Sequence, residues 1–425
     1  MNFYSTLLNK INKKKARIGI IGLGYVGLPL AIEFAKKKFN VTGFDIDVKK
    51  IESLKKNKSY INHISSVSIK QNQKNINFTF NFKNIKKNNI IILCLPTPLT
   101  INLNPDLSYI KKTLENIKKY LSEGQLIILE SSTYPGSTRN IILPYLKKFK
   151  VGENFFLAYS PEREDPNNKK YKLKDIPKIC SGYSKKCFNL TKSLYKQIIK
   201  KIVNVSSLET AEFVKLYENI YRSINIGLVN EMKMISYKLN LNIYEIINAA
   251  KTKPFGFQPF FPGPGVGGHC IPIDPYYLSW IANKENINTK LIYQAGKINS
   301  FMPSWIISET LKVKKIKKTL LIGVAYKKNI DDTRESPALD FINIFNKKKI
   351  KVDFYDPNIK YLKSRKLNKT YHSISLNHYN LQKYDTVFII TDHSNINYKL
   401  IKKSARFIVD TRNIYKDKSS NILKL

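Results

Sequence analysis

Residues 262–275 of this 425-residue chain read Pro-Gly-Pro-Gly-Val-Gly-Gly-His-Cys-Ile-Pro-Ile-Asp-Pro, and they join reactive side chains to a backbone suited to holding them. Cys270 and Asp274 stand four residues apart behind Gly263, Gly265, Gly267 and Gly268. Glycines let backbone N–H groups approach a ligand with no Cβ in the way. Pro262, Pro264, Pro272 and Pro275 fix φ and argue against a long helix through the segment. A thiol in such a loop attacks a carbonyl carbon as thiolate, once a nearby cation or N–H group lowers its pKa. His269 is open to two readings, the base of a Cys/His pair or a spacing and hydrogen-bonding residue, and adjacency on a loop favours the second. Cys94, Cys180 and Cys187 lie in apolar or mixed surroundings and read as small buried hydrophobes.

A second set of residues points to a dinucleotide. Gly22, Gly24 and Gly27 stand in G-x-G-x-x-G register after a short apolar run that begins at Arg17, and a helical stretch follows through Ala35. A second strand pattern, residues 40–45, ends in Asp45, 18 positions after Gly27. This order permits a tight turn and close approach of a pyrophosphate to a helix N-terminus. Asp45 would accept the adenosine ribose hydroxyls and repel a 2′-phosphate, which favours NAD over NADP. Thr97 and Thr133 follow two further apolar runs, where ligands of parallel sheets lie. Glu162 and Arg163 open a charged loop, residues 160–165, whose bland reading is a solvated ion pair. Lys215 and Asn219 share one helix face by i, i+4 spacing, with Arg222 near it; spacing alone leaves Lys215 either solvated or directed into a cleft.

The elements that must position these groups follow a strand rhythm. Apolar runs at 90–95, 125–130 and 155–159 end in turn residues, as parallel strands do. Residues 209–239 read as one long helix with no proline, a natural dimer spine, and helical stretches continue past the cysteine loop into the 300s. Runs at 318–326, 351–356, 386–391 and 406–410 repeat the strand rhythm. The expected fold is therefore α/β, with two Rossmann-like doubly wound domains joined by a long central helix and helical dimerisation region. The expected division is 1–205, 206–305 and 306–425. Lys327 and Arg334 come just after the first strand of the second α/β half, at its ligand-binding end.

Composition supports a globular protein, with 43% hydrophobic residues. A formal charge of +42 would ordinarily suggest nucleic acid or an anionic surface. The lysines are scattered among Asn and Ile, however, and no nucleic-acid module is legible, so no dedicated nucleic-acid or membrane partner is expected. Four irregularly spaced cysteines give neither a disulfide framework nor a metal site. With no signal-peptide pattern at the start and no apolar run long enough to cross a bilayer, the reading is a cytoplasmic protein.

Seven ordered motifs together resemble the UDP-glucose/GDP-mannose dehydrogenase family over nearly the whole chain. They are the glycine turn from Gly22 to Leu30, Pro96-Thr-Pro98, Ser132-Thr133, Ser160-Pro-Glu-Arg163, Lys215-Leu-Tyr-Glu-Asn219, the loop from Gly263 to Cys270 with Asp274, and Asp332-Thr-Arg-Glu-Ser-Pro337. Ile176-Pro-Lys178, Thr252-Lys-Pro-Phe-Gly-Phe257 and His269-Cys-Ile-Pro-Ile-Asp-Pro275 look most like the bacterial UDP-N-acetylglucosamine 6-dehydrogenases of surface-polysaccharide pathways. The resemblance implies a homodimer that oxidises a sugar C6 alcohol to a carboxylate with two NAD in turn. It implies thiohemiacetal and thioester formation on Cys270, and oxyanion stabilisation by Lys215 and Asn219. Asp274 would serve as base through water, while Thr133 and Glu162 position water and substrate, Glu162 also as base for thioester hydrolysis. Gly22, Gly24, Tyr25, Val26, Gly27, Asp45, Thr97, Thr133 and Arg334 would meet NAD. Glu162, Arg163, Lys215, Asn219, Gly265, Gly267, Gly268 and Lys327 would meet the UDP-sugar. Relatives carry an arginine upstream of the glycine loop where this chain has residues 255–261, rich in Phe; these suit an N-acetyl group. UDP-N-acetylmannosamine, UDP-N-acetylgalactosamine and UDP-glucose are the alternative substrates, and a catalytically inactive nucleotide-sugar-binding protein is the alternative class.

Overall fold

The computed structural model describes residues 2–61, 64–164, 171–364, 369–417 and 419–425. Asp165, the end of the charged loop, lies outside them. The chain forms two compact units, residues 1–218 with 276–286, and residues 219–275 with 287–425.

The first unit is built on an eight-stranded sheet. Its strands are β1 (Arg17–Ile21), β2 (Asn40–Phe44), β3 (Ile76–Thr79), β4 (Ile90–Leu93), β5 (Leu126–Leu129), β6 (Phe156–Tyr159), β7 (Lys178–Gly182) and β8 (Ile202–Asn204). The order is β3-β2-β1-β4-β5-β6-β7-β8, parallel except where β7 runs antiparallel to β6. The first six strands thus have the doubly wound dinucleotide-binding order. Every residue of β4, β5 and β6 is buried, because helices cover both faces of such a sheet and leave no polar side to alternate with. Sequence periodicity misses β3, β7 and β8. β3 is a four-residue edge strand, β8 has three residues, and β7 places a lysine at its head.

In the second unit β9 (Lys318–Ile322), β10 (Lys351–Tyr355), β13 (Thr386–Ile389), β14 (Ile408–Asp410) and β15 (Ile422–Lys424) form a parallel sheet in the order β10-β9-β13-β14-β15, and β11 (Tyr361–Ser364) pairs with β12 (Lys369–His372) as a separate ribbon. Phe341 and Phe345 of the helix Pro337–Lys347 pack on Phe388 of β13 with ring centroids 5.8 and 5.3 Å apart.

The two sheets repeat one local device. Gly22 and Gly323 follow the first strand of each sheet with φ of +92° and +75°, a backbone conformation that excludes most side chains. A Cβ would stand 2.3 Å from Cys94 O in one case and 2.2 Å from Thr391 O in the other. The next N–H groups, of Leu23 and Val324, donate to carboxylates at the end of the second strand, Asp45 Oδ2 at 2.9 Å and Asp356 Oδ2 at 2.7 Å.

The long helix Leu208–Lys238 has the expected extent, and the boundary between the units falls inside it, after Glu218. Within the second unit it packs closely on the helix Lys290–Val313. A Cβ on Gly227 would lie 3.1 Å from Ala295 Cα.

Candidate active site

The glycine turn of the first unit has the shape a dinucleotide needs. A Cβ on Gly27 would stand 1.9 Å from Gly22 O, so the helix Gly27–Lys36 starts hard against the turn, whereas a Cβ on Gly24 would meet nothing within 4 Å. Open space at the middle glycine, beside a helix N-terminus, is where a pyrophosphate fits. Tyr25 packs against the core of the unit, and Val26 stands at the N-cap. Asp45 is buried and already accepts from Leu23 N and from Asp47 N, each at 2.9 Å on a different oxygen. A carboxylate offers about four lone-pair sites, so this one both fixes the turn and keeps acceptor capacity for a ribose diol. Thr97 and Thr133 are buried beyond the ends of β4 and β5. The Thr133 hydroxyl has no hydrogen-bond partner among the described residues, an acceptor and donor left for a ligand.

Two carboxylates that sequence reasoning missed organise this end of the sheet. Glu212, on the long helix, accepts from Gly136 N at 2.6 Å, Ser137 Oγ at 2.8 Å, Thr138 N at 2.7 Å and Thr138 Oγ1 at 2.6 Å. It joins the loop after Thr133 to the helix three residues before Lys215. Burial pushes its carboxyl up, and these donors offset part of the shift. Glu130 lies beside Lys178, whose Nζ is 3.1 Å from Glu130 Oε2 and 2.8 Å from Glu162 Oε2. The phenol of Tyr195 donates to Glu130 Oε1.

The sequence reading of Glu162 and Arg163 as a solvated pair is thus corrected. The cation of Glu162 is the buried Lys178. Arg163 forks onto Glu218 at 2.5 and 3.2 Å and donates to Pro177 O at 2.6 Å, which ties the loop to the long helix. An amphipathic pattern could not reveal Lys178, because at the head of an apolar run it reads as a strand boundary. Lys215 is half-buried on the long helix, and its ammonium has no ion-pair partner among the described residues.

In the second unit the cysteine loop is held by its neighbours. Asp274 N donates to Cys270 O at 2.9 Å, one turn, and Asp274 then opens the helix Asp274–Lys284. Asn219 Nδ2 donates to Asp274 Oδ2 at 2.5 Å, with both residues buried. Cys270 is partly exposed, unlike the buried Cys180 and Cys187. Cys94 is also only partly buried, yet its thiol is pushed well up by desolvation, with Glu130 adding to the shift.

Of the four glycines, Gly265 and Gly268 adopt positive φ, at +125° and +85°. Gly267 is demanded by space, since a Cβ would lie 2.6 Å from both Glu335 O and Tyr326 Cβ, whereas at Gly263 a Cβ would lie 2.8 Å from Nη1 at the tip of the Arg412 side chain. Gly268 N donates to Arg334 O at 2.9 Å. The loop is therefore packed onto the segment that carries Lys327, which is half-buried, and Arg334, whose guanidinium is gripped by Asp332 at 2.6–3.1 Å. Two further basic residues escaped the sequence reading. Arg412 bonds Ile390 O at 2.8 Å. Lys233 is buried 5.5 Å from the ring centroid of Tyr244 and is pushed down to about 7 by burial.

A doubly wound domain with a dinucleotide turn, followed by a second α/β domain and a glycine-bound cysteine, defines an NAD-dependent oxidoreductase of nucleotide sugars. The chain belongs to the UDP-glucose/GDP-mannose dehydrogenase family: its NAD binding domain matches residues 16–199, its central domain 209–300 and its UDP binding domain 320–417. The UDP-N-acetyl-D-glucosamine 6-dehydrogenase of Pseudomonas aeruginosa is 36% identical over 81% of this chain and 83% of its own. The UDP-N-acetyl-D-mannosamine dehydrogenase of Pyrococcus horikoshii is 35% identical over 94% of this chain and 96% of its own. A solved structure of the Pyrococcus horikoshii UDP-D-ManNAc dehydrogenase superposes with a TM-score of 0.85 at 32% identity, covering 96% of this chain and 98% of that one.

Proposed function

We propose that this protein oxidises the C6 alcohol of a UDP-N-acetylhexosamine, UDP-N-acetylglucosamine first among them, to the carboxylate for surface polysaccharide synthesis. The observation that carries the chemistry is the buried Asn219–Asp274 hydrogen bond one turn from Cys270. The choice of sugar is supported by the 36% identity to the Pseudomonas aeruginosa enzyme and 33% identity to the UDP-N-acetyl-D-glucosamine 6-dehydrogenase of Salmonella typhi. The second reading, UDP-N-acetylmannosamine, is favoured by the 35% identity to the Pyrococcus horikoshii enzyme.

NAD, when bound, accepts a hydride from the substrate carbon. Gly22, Gly24, Tyr25, Val26 and Gly27 would hold its pyrophosphate, with Arg334 a further contact, Asp45 its ribose, and Thr97 and Thr133 its inner end. Lys327, Arg163 and the glycine loop would hold the UDP-sugar. Asp274 takes the alcohol proton through water. Cys270 adds to the aldehyde as thiolate, giving a thiohemiacetal whose oxyanion Lys215 and Asn219 stabilise. After the second oxidation the thioester is hydrolysed by a water oriented by Thr133 and deprotonated by Glu162. The division of labour follows 1–205 for NAD, 206–305 for dimerisation and the cysteine loop, and 306–425 for the UDP-sugar.

A homodimer is supported by Tyr221, Leu228, Met232 and Ile235, which lie on one face of the long helix at 43, 52, 40 and 47% exposure. Among the described residues no helix is long and apolar enough to cross a membrane, and the reading is a cytoplasmic enzyme.

The test is the NADH formed per sugar consumed, with UDP-N-acetylglucosamine, its galacto and manno epimers and UDP-glucose in parallel. About two NADH per sugar on one N-acetylated substrate supports the thioester route and names the epimer. Better turnover of UDP-glucose sinks the N-acetyl preference, and no NADH on any substrate favours a binding protein without catalysis.

A further inference from the structure

We infer that Lys178, anchored by Glu130, is a positioning residue for Glu162, a buried ammonium that holds its carboxylate ionised and fixed in place for hydrolysis of the Cys270 thioester. The inference rests on the reading of Glu162 as the hydrolytic base.

Lys178 starts β7, and its ammonium is 3% exposed between two carboxylates, Glu130 at 3.1 Å and Glu162 at 2.8 Å. A buried ammonium is costly unless its partners are well placed, and a structural ion pair needs one carboxylate. Here the second, Glu162, is the one that reaches partial exposure, at 12% against 0% for Glu130. One oxygen of Glu162 faces Lys178, and the other accepts from Arg163 N at 2.8 Å and Glu164 N at 2.6 Å, so the group is held from both sides.

The electrostatics separate the two acids. Burial pushes the Glu130 carboxyl up, with Lys178 offsetting part of the shift. Burial also acts on Glu162, but the Lys178 ammonium and the two N–H groups outweigh it and bring its carboxyl below the usual range. Carboxylates whose surroundings push them apart mark distinct acid and base duties.

Among the described residues, the two thiols and the phenol facing this cluster stay neutral. From beyond β4, the Cys94 thiol is pushed well up by burial and Glu130. From β7, burial carries Cys180 up to about 12, and the Tyr195 phenol is raised by burial and Glu130. Arg163 is turned to Glu218. Among the described residues, Lys178 is therefore the cation that sets the charge of Glu162.

In the step concerned, the water oxygen bonds to the thioester carbon, its proton passes to the Glu162 carboxylate, and the C–S bond breaks with its electron pair leaving on the Cys270 sulfur. A protonated Glu162 cannot take that proton. Loss of Lys178 raises the Glu162 pKa, so the acidic limb of the rate profile moves to higher pH.

The experiment measures acid formation against pH for wild type, Lys178→Arg, Lys178→Met and the double variant Lys178→Met/Glu130→Gln, which leaves Glu130 no unpaired charge. Mass spectrometry of acid-quenched protein reads the thioester on Cys270. The expected result is a rise of the acidic limb by roughly one pH unit or more in Lys178→Met and in the double variant, with thioester accumulating and KM for NAD little changed. Lys178→Arg keeps the wild-type limb. An unmoved limb in a folded double variant that still binds NAD, whatever the loss of kcat, overturns the inference. A wild type that fails to form two NADH per sugar overturns the proposed function instead.

Discussion

Asn219 Nδ2 donates to Asp274 Oδ2 across 2.5 Å in a buried setting, and Asp274 N closes a turn onto Cys270 O. The amide thereby fixes the carboxylate one turn from the thiol. Asn219→Ala removes the orienting bond and, on the proposed mechanism, an oxyanion donor, so kcat is expected to fall by about 10²- to 10³-fold with a smaller change in KM. Asp274→Asn keeps the size of the group and loses the proposed base, and its kcat is expected to fall at least as far. Steady-state kinetics of both variants check this; an unchanged kcat in either removes that residue from the chemistry.

Cys270→Ser is expected to abolish acid formation while leaving the first oxidation slow or stalled. The hydroxyl is too poor a nucleophile at neutral pH to replace the thiolate. Rapid-quench product analysis would separate aldehyde from acid. Continued acid production at the wild-type rate would take the cysteine out of the mechanism.

Glu212 accepts four hydrogen bonds from the loop that follows Thr133. Glu212→Ala leaves those buried donors unmet and is expected to cost about 3 kcal/mol or more, each unmet group costing about 1–3 kcal/mol. Urea unfolding with the m value monitored checks the loss. A change below about 0.5 kcal/mol would mean that water replaces the carboxylate.

Lys233 is pushed down to about 7 by burial, so the unfolded chain binds its proton more tightly than the folded one. Stability from this group is therefore missing below pH 7 and grows as pH rises from 7 toward the ordinary lysine range. Lys233→Met is expected to raise Tm at pH 6 and to have a smaller effect at pH 9. Thermal unfolding at the two pH values gives the comparison, and an equal shift at both contradicts a buried near-neutral ammonium.

The apolar face of Tyr221, Leu228, Met232 and Ile235 predicts self-association. Met232→Glu places a charge in that face and is expected to shift sedimentation from dimer to monomer. A wild type that sediments as a monomer at micromolar concentration would refute the dimer itself.

The dinucleotide turn, the apolar runs of β1, β2, β4, β5 and β6 and the cysteine loop were legible in the sequence because each is a local pattern. Glycine spacing, apolar runs and a proline-glycine loop act over a few residues, and Gly22, Asp45, Cys270 and Asp274 stand where those patterns place them. The sequence also carried the long helix, since thirty residues without proline leave little alternative. What only the tertiary structure decided is which distant groups share a charge. Lys178 meets Glu130 and Glu162 across separations of 48 and 16 residues, and Glu212 reaches loop donors more than 70 residues away. Asn219 joins Asp274 over 55 residues. A lysine at a strand end and a glutamate on a helix look solvated in one dimension. Burial, which sets their charge and hence their duty, exists only after the sheet and helix have closed over them.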